Sequence, residues 1–281
     1  MVNKNTIGDA LKKGIALLKK CDIPGAATDA AVLLGHVLDC ARLHLTVHRD
    51  DAIDKGKEQE FFDLIQRRCR KEPVSYITGY REFMSMDFKV APGVLIPRPD
   101  TEILVETVIQ KLNGIPNPVI VDMCTGSGAV GVSLAKYITG SKVTALDVSD
   151  TAIETARENA LSNGVKLEVA KHDVLTPYNA SADAVVSNPP YIPTKIVKTL
   201  QEDVSMYEPH IALDGGEDGL CFYRAIIGNI HSCLKKGGLL AFEVGHDQAD
   251  AVARLMEKDF CSVETVCDLA GIRRVVLGLR K

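Results

Sequence analysis

The spacing of apolar residues changes along the chain, and the change predicts where one kind of structure gives way to another. Up to residue 72, apolar residues recur every three or four positions, the spacing of one helix face. The first run consists of Ile7, Leu11, Ile15 and Leu18. We predict further helices over 29–38 and 58–70, with Thr6 and Thr28 as N-caps of the first two helices. Residues 1–72 are therefore predicted to form a small helical domain. We expect it to bind a partner or substrate, and simple capping of the next domain is the alternative.

Beyond residue 73, strands enter the pattern. Residues 80–90 alternate between apolar and polar side chains, so we expect a hairpin within a linker over 73–100. After a helix that Asp100 or Thr101 could cap, short apolar runs alternate with helical segments. The predicted strands cover 119–122, 142–147, 166–170, 182–187, 238–244, 262–268 and 273–279. The predicted helices between them cover 129–137, 151–162, 220–234 and 247–258.

Alternating strands and helices predict an α/β fold over residues 101–281, with the strands mostly parallel. The last two strands differ from the others, because only residues 269–272 separate them and they should pair as an antiparallel hairpin. A seven-stranded, mostly parallel, Rossmann-like sheet with a terminal antiparallel hairpin is typical of methyltransferases. The predicted architecture is such a sheet preceded by the small N-terminal helical domain.

The sequence Asn188-Pro189-Pro190-Tyr191 follows the buried strand predicted over 182–187. Prolines lack a backbone N–H and hold the preceding residue extended, so this motif is rigid at the carboxyl end of the sheet, where open α/β sheets bind ligands. The Asn188 side-chain oxygen and the Pro189 carbonyl could accept both hydrogens of a planar NH2 group, and Tyr191 could cover its flat face. Such contacts would direct the nitrogen lone pair at an electrophile. A proline-rich turn without chemistry is the alternative for the motif alone.

A cofactor site is predicted at three other strand ends. The loop Cys124-Thr125-Gly126-Ser127-Gly128 joins a strand to a helix. Its glycines let the backbone approach a ligand, and the helix N-terminus favours a carboxylate. Asp147 ends the next strand, where an acid can accept both hydroxyls of a ribose. Asp173 and Val174 follow the third strand, where they could contact an adenine.

Each part of this site has an alternative interpretation. The spacing Gly126-x-Gly128-x-x-Gly131 also fits the dinucleotide pattern of a nicotinamide dehydrogenase. Asp147 could be a helix cap, and Asp173 could be a turn residue. A dehydrogenase has no need of Asn-Pro-Pro-Tyr, whereas methyl transfer to nitrogen does, so the combination favours methyl transfer.

Composition narrows the class of protein. The chain has 281 residues, of which 46% are hydrophobic and 25% charged, and a net charge of −4. We therefore expect a soluble globular protein without a general surface for nucleic acid. Neither a signal peptide nor an apolar run of about 18 residues is visible. The eight cysteines have no CxxC or metal-ligand spacing, so we expect no metal site and reduced thiols in the cytoplasm.

Several segments closely resemble the release-factor glutamine methyltransferase family. The four main ones are 73–79, 94–102, 122–128 and 188–191. The resemblance continues through 208–209, 213, 215–216, 218–220, 243–245 and 268–271, and so covers nearly the whole catalytic domain. Asn-Pro-Pro-Tyr is shared with adenine-amino methyltransferases and specifies only the class. Ile-Pro-Arg-Pro-Asp-Thr-Glu at 96–102 is much more specific.

The resemblance implies S-adenosylmethionine as methyl donor and S-adenosylhomocysteine as product. It implies as acceptor the glutamine of the Gly-Gly-Gln loop in class-1 peptide chain release factors. By motif, the donor would contact 124–128, 147, 173–174 and 188, and the glutamine amide would be held by 188–191. Arg98 is a further candidate for substrate binding. A solvated linker residue is the alternative for Arg98. Two positions depart from some relatives. Cys124 stands where glycine is frequent, which predicts less backbone freedom in the loop. Val174 stands where an aromatic residue can stack on the adenine, which predicts weaker adenine binding.

We expect a cytoplasmic monomer that binds release factors but neither membranes nor nucleic acid directly. The main alternative is an adenine-amino methyltransferase that acts on nucleic acid. A nicotinamide oxidoreductase and a scaffold that binds a release factor or the ribosome without turnover are two further alternatives.

Overall fold

The computed structural model describes residues 5–281, which form two compact units. The first unit extends to Gly79 and also contains Gln201–Tyr207. The second unit contains Tyr80–Leu200 and Glu208–Lys281. Sequence patterns gave no signal that 201–207 would pack with the first unit. The division of the sequence at residues 72 and 100 stays a prediction.

Helices and strands follow the predicted alternation. The α-helices within residues 5–281 are α1 (Ile7–Lys20), α2 (Ala26–Leu38), α3 (Arg42–Val47), α4 (Lys55–Cys69), α5 (Val74–Thr78), α6 (Asp100–Lys111), α7 (Ala129–Tyr137), α8 (Asp150–Ser162), α9 (Thr194–Val197), α10 (Glu202–Ser205), α11 (Cys221–Asn229) and α12 (Ala249–Met256). The β-strands there are β1 (Tyr80–Phe83), β2 (Met86–Lys89), β3 (Val119–Met123), β4 (Lys142–Asp147), β5 (Glu168–Lys171), β6 (Ala182–Ser187), β7 (Leu234–Glu243), β8 (Phe260–Cys267) and β9 (Arg273–Arg280). None of these helices is long and apolar enough to cross a membrane.

An apolar core between α1, α2 and α4 holds the first unit together; Leu18, Leu34 and Phe61 within it are fully buried. Thr6 caps α1 as predicted, because its hydroxyl accepts from the Asp9 N–H while the Asp9 carboxylate accepts from the Thr6 N–H. The predicted Thr28 cap of α2 is wrong. Gly25, in the left-handed conformation with φ 73°, precedes this helix and lets it begin at Ala26, so Thr28 lies inside it.

A buried arginine anchors the segment 201–207 within the first unit. The Arg68 guanidinium lies 2.8 Å from the Asp29 carboxylate and 3.6 Å from that of Asp203. Nearby, the Tyr207 hydroxyl donates to the Arg70 carbonyl over 2.7 Å. Because a buried guanidinium needs its charge balanced, these contacts order the segment as well as neutralise Arg68.

Two cysteines of the first unit form a disulfide, which joins Cys21 to Cys69 at the ends of α1 and α4. The other six cysteines, all within the described residues, are free. The expectation of reduced thiols is therefore wrong for this pair. Packing of the two helices brings the cysteine Cα atoms to 5.4 Å from each other, and a sequence separation of 48 residues gave no sign of it.

The second unit contains the predicted seven-stranded sheet, in the order β5-β4-β3-β6-β7-β9-β8. The pairs from β5 to β7 are parallel, whereas β9 pairs antiparallel with both β7 and β8. The fold class and the terminal hairpin are thus confirmed. A separate antiparallel pair, β1 with β2, forms the hairpin expected within 80–90.

Successive residues of the central strands enter two different cores. Ile120 of β3 packs in a core with α6 and α7, whereas Val121 packs on the opposite face with α11 and α12. Ala184 and Val185 of β6 divide in the same way. Since helices cover both faces of these strands, a ligand can reach them only at their ends.

Close packing of α1 on α4 predicts the effect of one added methyl group. A Cβ at Gly14 would lie 2.5 Å from Phe61 Cζ and 2.8 Å from Cε1, too close unless the buried Phe61 ring or one of the two helices shifts. We expect Gly14→Ala to lower the free energy of unfolding by ~1–3 kcal/mol, measured by urea denaturation. Gly228→Ala is the control, because nothing lies within 4 Å of a Cβ there and it should not destabilise the protein. Equal stability of both variants would contradict the described packing.

Candidate active site

The carboxyl ends of β3, β4, β5 and β6 border one cavity of about 260 Å³. This is the edge at which open α/β sheets bind their ligands. Most of the predicted site residues line it: Arg98, Cys124, Thr125, Gly126, Ser127, Asp147, Asp173, Val174, Asn188 and Pro190. Among the described residues, the predicted Gly128, Pro189 and Tyr191 are outside this lining. From the connection 192–217, Ile211 and Ala212 also line the cavity.

Asp122 of β3 holds the glycine loop that follows this strand. Its Oδ2 accepts from the Thr125 hydroxyl at 2.6 Å and from the Gly131 N–H at 2.9 Å, so one carboxyl oxygen ties the loop to the first turn of α7. The other oxygen, Oδ1, is buried without a hydrogen-bond partner among the described residues. Burial raises the Asp122 pKa from 3.8 to about 7, since the charged form loses its hydration.

The loop itself uses left-handed backbone conformations, with φ of 57° at Gly126 and 83° at Gly128. Gly128 directly precedes α7, and the first two residues of that helix, Ala129 and Val130, line the cavity. Cys124 also has a positive φ, 61°, which costs a non-glycine residue ~1–2 kcal/mol. A glycine at this position would remove the strain. Burial raises the pKa of the Cys124 thiol, with Asp147 adding to the effect, so the thiol stays neutral.

Asp147 supports the same loop from the neighbouring strand. Its Oδ2 accepts from the Gly126 N–H at 2.8 Å, and its Oδ1 accepts from the Ser149 N–H at 2.9 Å. Burial raises the Asp147 pKa, while these backbone hydrogen bonds partly oppose that shift. Each carboxylate oxygen keeps a second lone pair, so Asp147 can still accept from a ligand hydroxyl.

Asp173 and Val174 form the cavity wall beyond β5. The Asp173 Oδ1 accepts from the Leu175 N–H at 3.0 Å, so this residue does shape a turn, as its alternative interpretation proposed. Val174 is buried and presents an apolar surface beside the carboxylate. An acceptor next to an apolar surface suits a flat ring with an exocyclic amine.

At the end of β6 the Asn188 side chain lines the cavity, and its Nδ2 donates to the Thr101 hydroxyl oxygen at 3.2 Å. Tyr191 lies behind this wall, where its hydroxyl donates to Glu243 Oε1 at 3.3 Å. The Tyr191 carbonyl accepts from Gln248 Nε2 at 2.8 Å. A Cβ at Gly215 would lie 2.7 Å from the Tyr191 Cα, so a glycine is required for the chain to pass there. The motif is thus held from several sides.

Arg98 lines the cavity as part of an ion pair rather than as a solvated linker residue. Its guanidinium donates to Glu208 Oε1 at 2.5 Å, and the buried Glu208 also accepts from the Ile96 N–H at 3.3 Å. The pair holds the guanidinium at the cavity, while about a third of the Arg98 side chain, 36%, stays exposed.

Sequence reasoning missed four residues that support the site, namely Thr101, Glu208, Glu243 and Gln248. Thr101 was expected only as a possible cap of α6. That prediction is wrong, because α6 begins at Asp100 directly after Pro99 and the Thr101 hydroxyl accepts from Asn188 instead. Glu243 could have been found, since it ends β7 as Asp147 ends β4.

Comparison of the sequence with protein families gives two matches. The PrmC N-terminal domain matches residues 9–79, and the methyltransferase small domain matches residues 97–206. The release factor glutamine methyltransferase of Clostridium acetobutylicum is 43% identical, over 98% of this chain and 98% of the relative. The protein of the same name from Moorella thermoacetica is 39% identical, over 98% of this chain and 99% of the relative.

Solved structures share the fold at lower identity. A methyltransferase from Pyrococcus furiosus gives a TM-score of 0.53 at 17% identity, over 76% of this chain and 98% of that chain. A ribosomal protein L11 methylase from Lactobacillus delbrueckii subsp. bulgaricus gives 0.50 at 21% identity, over 68% and 84%. These structures support the Rossmann-like methyltransferase fold.

The raised Asp122 pKa predicts a pH dependence of stability. A carboxyl whose pKa rises from 3.8 to about 7 on folding binds its proton more tightly in the folded state. Its contribution to stability is full below 3.8 and is lost as the pH rises through about 7. We therefore expect Asp122→Asn to make the decline of the unfolding free energy between these pH values shallower, measured by urea denaturation. Glu154→Gln, at an exposed site on α8, is the control. A variant slope equal to that of the wild type would contradict the assignment.

Proposed function

Since this chain belongs to the release factor glutamine methyltransferase family, we propose that it methylates the glutamine side-chain amide in the Gly-Gly-Gln motif of class-1 peptide chain release factors. The methyl donor is S-adenosylmethionine and the second product is S-adenosylhomocysteine. The observation that carries the proposal is the position of Asn188, which lines the cavity from the rigid end of β6 beside the loops suited to the donor. We further propose that the protein works as a monomer in the cytoplasm and does not bind nucleic acid directly.

The donor supplies a methyl group made electrophilic by a sulfonium sulfur. The residues present fit it: the loop 124–128 with the α7 N-terminus would hold its amino-acid part. Asp147 would accept the ribose hydroxyls with the lone pairs that its backbone hydrogen bonds leave. Asp173 would accept from the exocyclic amine of the adenine, with Val174 against the ring. Asn188 would meet the donor near the reacting carbon.

The acceptor amide would be held by the Asn-Pro-Pro-Tyr motif. The Asn188 Oδ1 and the Pro189 carbonyl would accept its two hydrogens, so that the nitrogen lone pair is aimed at the methyl carbon. The N–C bond then forms as the C–S bond breaks, the bonding pair returns to sulfur, and the nitrogen releases a proton to water. Orientation supplies most of the acceleration, for which ~7–11 kcal/mol is available. Pro190 and Arg98, which line the cavity, would contact the substrate, and Tyr191 would support the motif through its hydrogen bond to Glu243.

Methyl transfer from labelled S-adenosylmethionine tests the proposal directly. Three acceptors are compared: an intact release factor, the same factor with the Gly-Gly-Gln glutamine changed to alanine, and duplex DNA. We expect label on the intact factor alone. Label on DNA would support the adenine-amino alternative, and equal label on both proteins would move the acceptor away from that glutamine.

Two substitutions should separate acceptor orientation from donor binding. Asn188→Ala removes the proposed amide acceptor, so kcat should fall by roughly 10² or more while donor binding weakens less. Asp147→Ala removes the proposed ribose contact, so it should mainly raise the KM for the donor. Steady-state kinetics with both substrates varied measure the two effects. A kcat within about threefold of wild type in Asn188→Ala would remove Asn188 from the reaction.

A further inference from the structure

Behind the cavity wall, Glu243 is connected to both ends of the Asn-Pro-Pro-Tyr motif. This residue is the last of β7 and its side chain is buried. The Tyr191 hydroxyl hydrogen-bonds to its carboxyl group, and the Thr101 hydroxyl lies close enough to favour the charged form of that group. The Tyr191 contact, on Oε1, is 3.3 Å long. The buried Oε2 has no hydrogen-bond partner among the described residues, so it is free to accept the Thr101 hydrogen.

Thr101 therefore lies between Glu243 and Asn188. Its oxygen accepts from Asn188 Nδ2 at 3.2 Å, and its hydrogen can serve only one acceptor. An ionised carboxylate accepts hydrogen bonds and donates none, so it takes the Thr101 hydrogen. The Thr101 oxygen then has lone pairs alone to offer to Asn188. The Asn188 amide must turn its NH2 group toward Thr101, which leaves Oδ1 as the atom available to the substrate.

We propose that Glu243, acting through Thr101, fixes the orientation of the Asn188 amide so that its oxygen rather than its nitrogen meets the acceptor amide. The proposal rests on the proposed function, because only an NH2-bearing acceptor needs an oxygen at this position. A reversed Asn188 amide would set NH2 against NH2 and could not align the acceptor lone pair. Glu243 and Thr101 are positioning residues here, since they act through Asn188.

The charge state of Glu243 then governs the direction of these hydrogen bonds. Burial raises its pKa to about 7, Asp100 of α6 raises it further, and Arg274 of β9 opposes the shift. Arg274 itself pairs with Asp100 and Asp268, at 2.9 and 3.0 Å. The remaining titratable neighbours are Tyr191 and Tyr223 of α11, whose hydroxyl donates to the Glu243 carbonyl at 2.8 Å. A protonated Glu243 could donate to the Thr101 oxygen. The Thr101 hydrogen would then be free to bond to Asn188 Oδ1, and both hydrogen bonds would run in the opposite direction.

Isosteric substitutions at Thr101 test the series of hydrogen bonds. Thr101→Val keeps the shape but removes the hydroxyl, so kcat on the release factor should fall by roughly 10- to 100-fold with donor binding unchanged. Thr101→Ser restores the hydroxyl and should return kcat to within about threefold of wild type. Thr107→Val makes the same change at another buried threonine of α6 and should leave kcat as it is. A Thr101→Ser variant as slow as Thr101→Val would overturn the proposal, because packing would then explain the loss.

Glu243→Gln adds a readout that a structural role would not give. The wild-type kcat should fall as the pH drops through about 7, where Glu243 gains a proton. Glutamine can donate to Thr101 at every pH, so this variant should be slow throughout and lose that dependence. The double variant with Thr101→Val should be no slower than Thr101→Val alone, since both changes interrupt one series. An unchanged acid limb in Glu243→Gln, or additive losses, would contradict the proposal.

A second measurement separates failure of this proposal from failure of the proposed function. If the wild type methylates no release factor, the proposed function is wrong. The hydrogen bond between Asn188 and Thr101 can still be tested in ¹⁵N-labelled protein without substrate. The Asn188 side-chain NH2 should exchange with solvent faster in Thr101→Val than in wild type, because its hydrogen bond is lost. Thr107→Val should leave this exchange unchanged. Equal exchange in all three proteins would refute the Thr101 contact whatever the substrate.

Discussion

In the central sheet, parallel pairing sets Met123 of β3 level with Leu146 of β4 on one side and with Ser187 of β6 on the other. The residues that follow these three, Cys124, Asp147 and Asn188, consequently lie at one edge of the sheet although they are far apart in sequence. Helices cover both faces of these strands, so the edge is where polar groups and a cavity can exist together. A shift of one residue in either pairing would move every one of these side chains relative to the others.

Buried carboxyl groups then turn that edge into a shaped site. Asp122 and Glu243 each end or nearly end a strand, each is buried, and each has one oxygen without an ordinary hydrogen-bond partner in the described chain. Burial of an acid is unfavourable by itself. Here the buried carboxyl groups hold the segments that follow the strands, because Asp122 ties the glycine loop and Glu243 accepts from the Tyr191 hydroxyl of the Asn-Pro-Pro-Tyr motif. Asp122 and Glu243, which do not line the cavity, thus hold in place the residues that do.

Much of this arrangement follows from local patterns. The strands, α7 and the Thr6 cap could be predicted because periodicity and capping depend on neighbouring residues. The contact of Asn188 with Thr101 could not, since 87 residues separate them and a threonine early in a helix usually indicates a cap. The start of α2 was missed because a left-handed Gly25 replaced the expected threonine cap. Long-range pairs such as Cys21 with Cys69 leave no periodic trace at all.

The segment 201–207 packs with the first unit, although the residues on either side of it belong to the second. The chain accordingly passes from one unit to the other three times, after Gly79, Leu200 and Tyr207. If a helical domain had simply been fused to the N-terminus of a methyltransferase domain, the chain would pass between the two only once. Here Asp203 and Tyr207, which contact Arg68 and Arg70, are encoded about 135 residues downstream of them, as the separation of 137 between Arg70 and Tyr207 illustrates. A chimera that takes its first 79 residues from one relative and the remainder from another would therefore combine an arginine with a foreign counter-charge, so recombination between relatives has to exchange both stretches together.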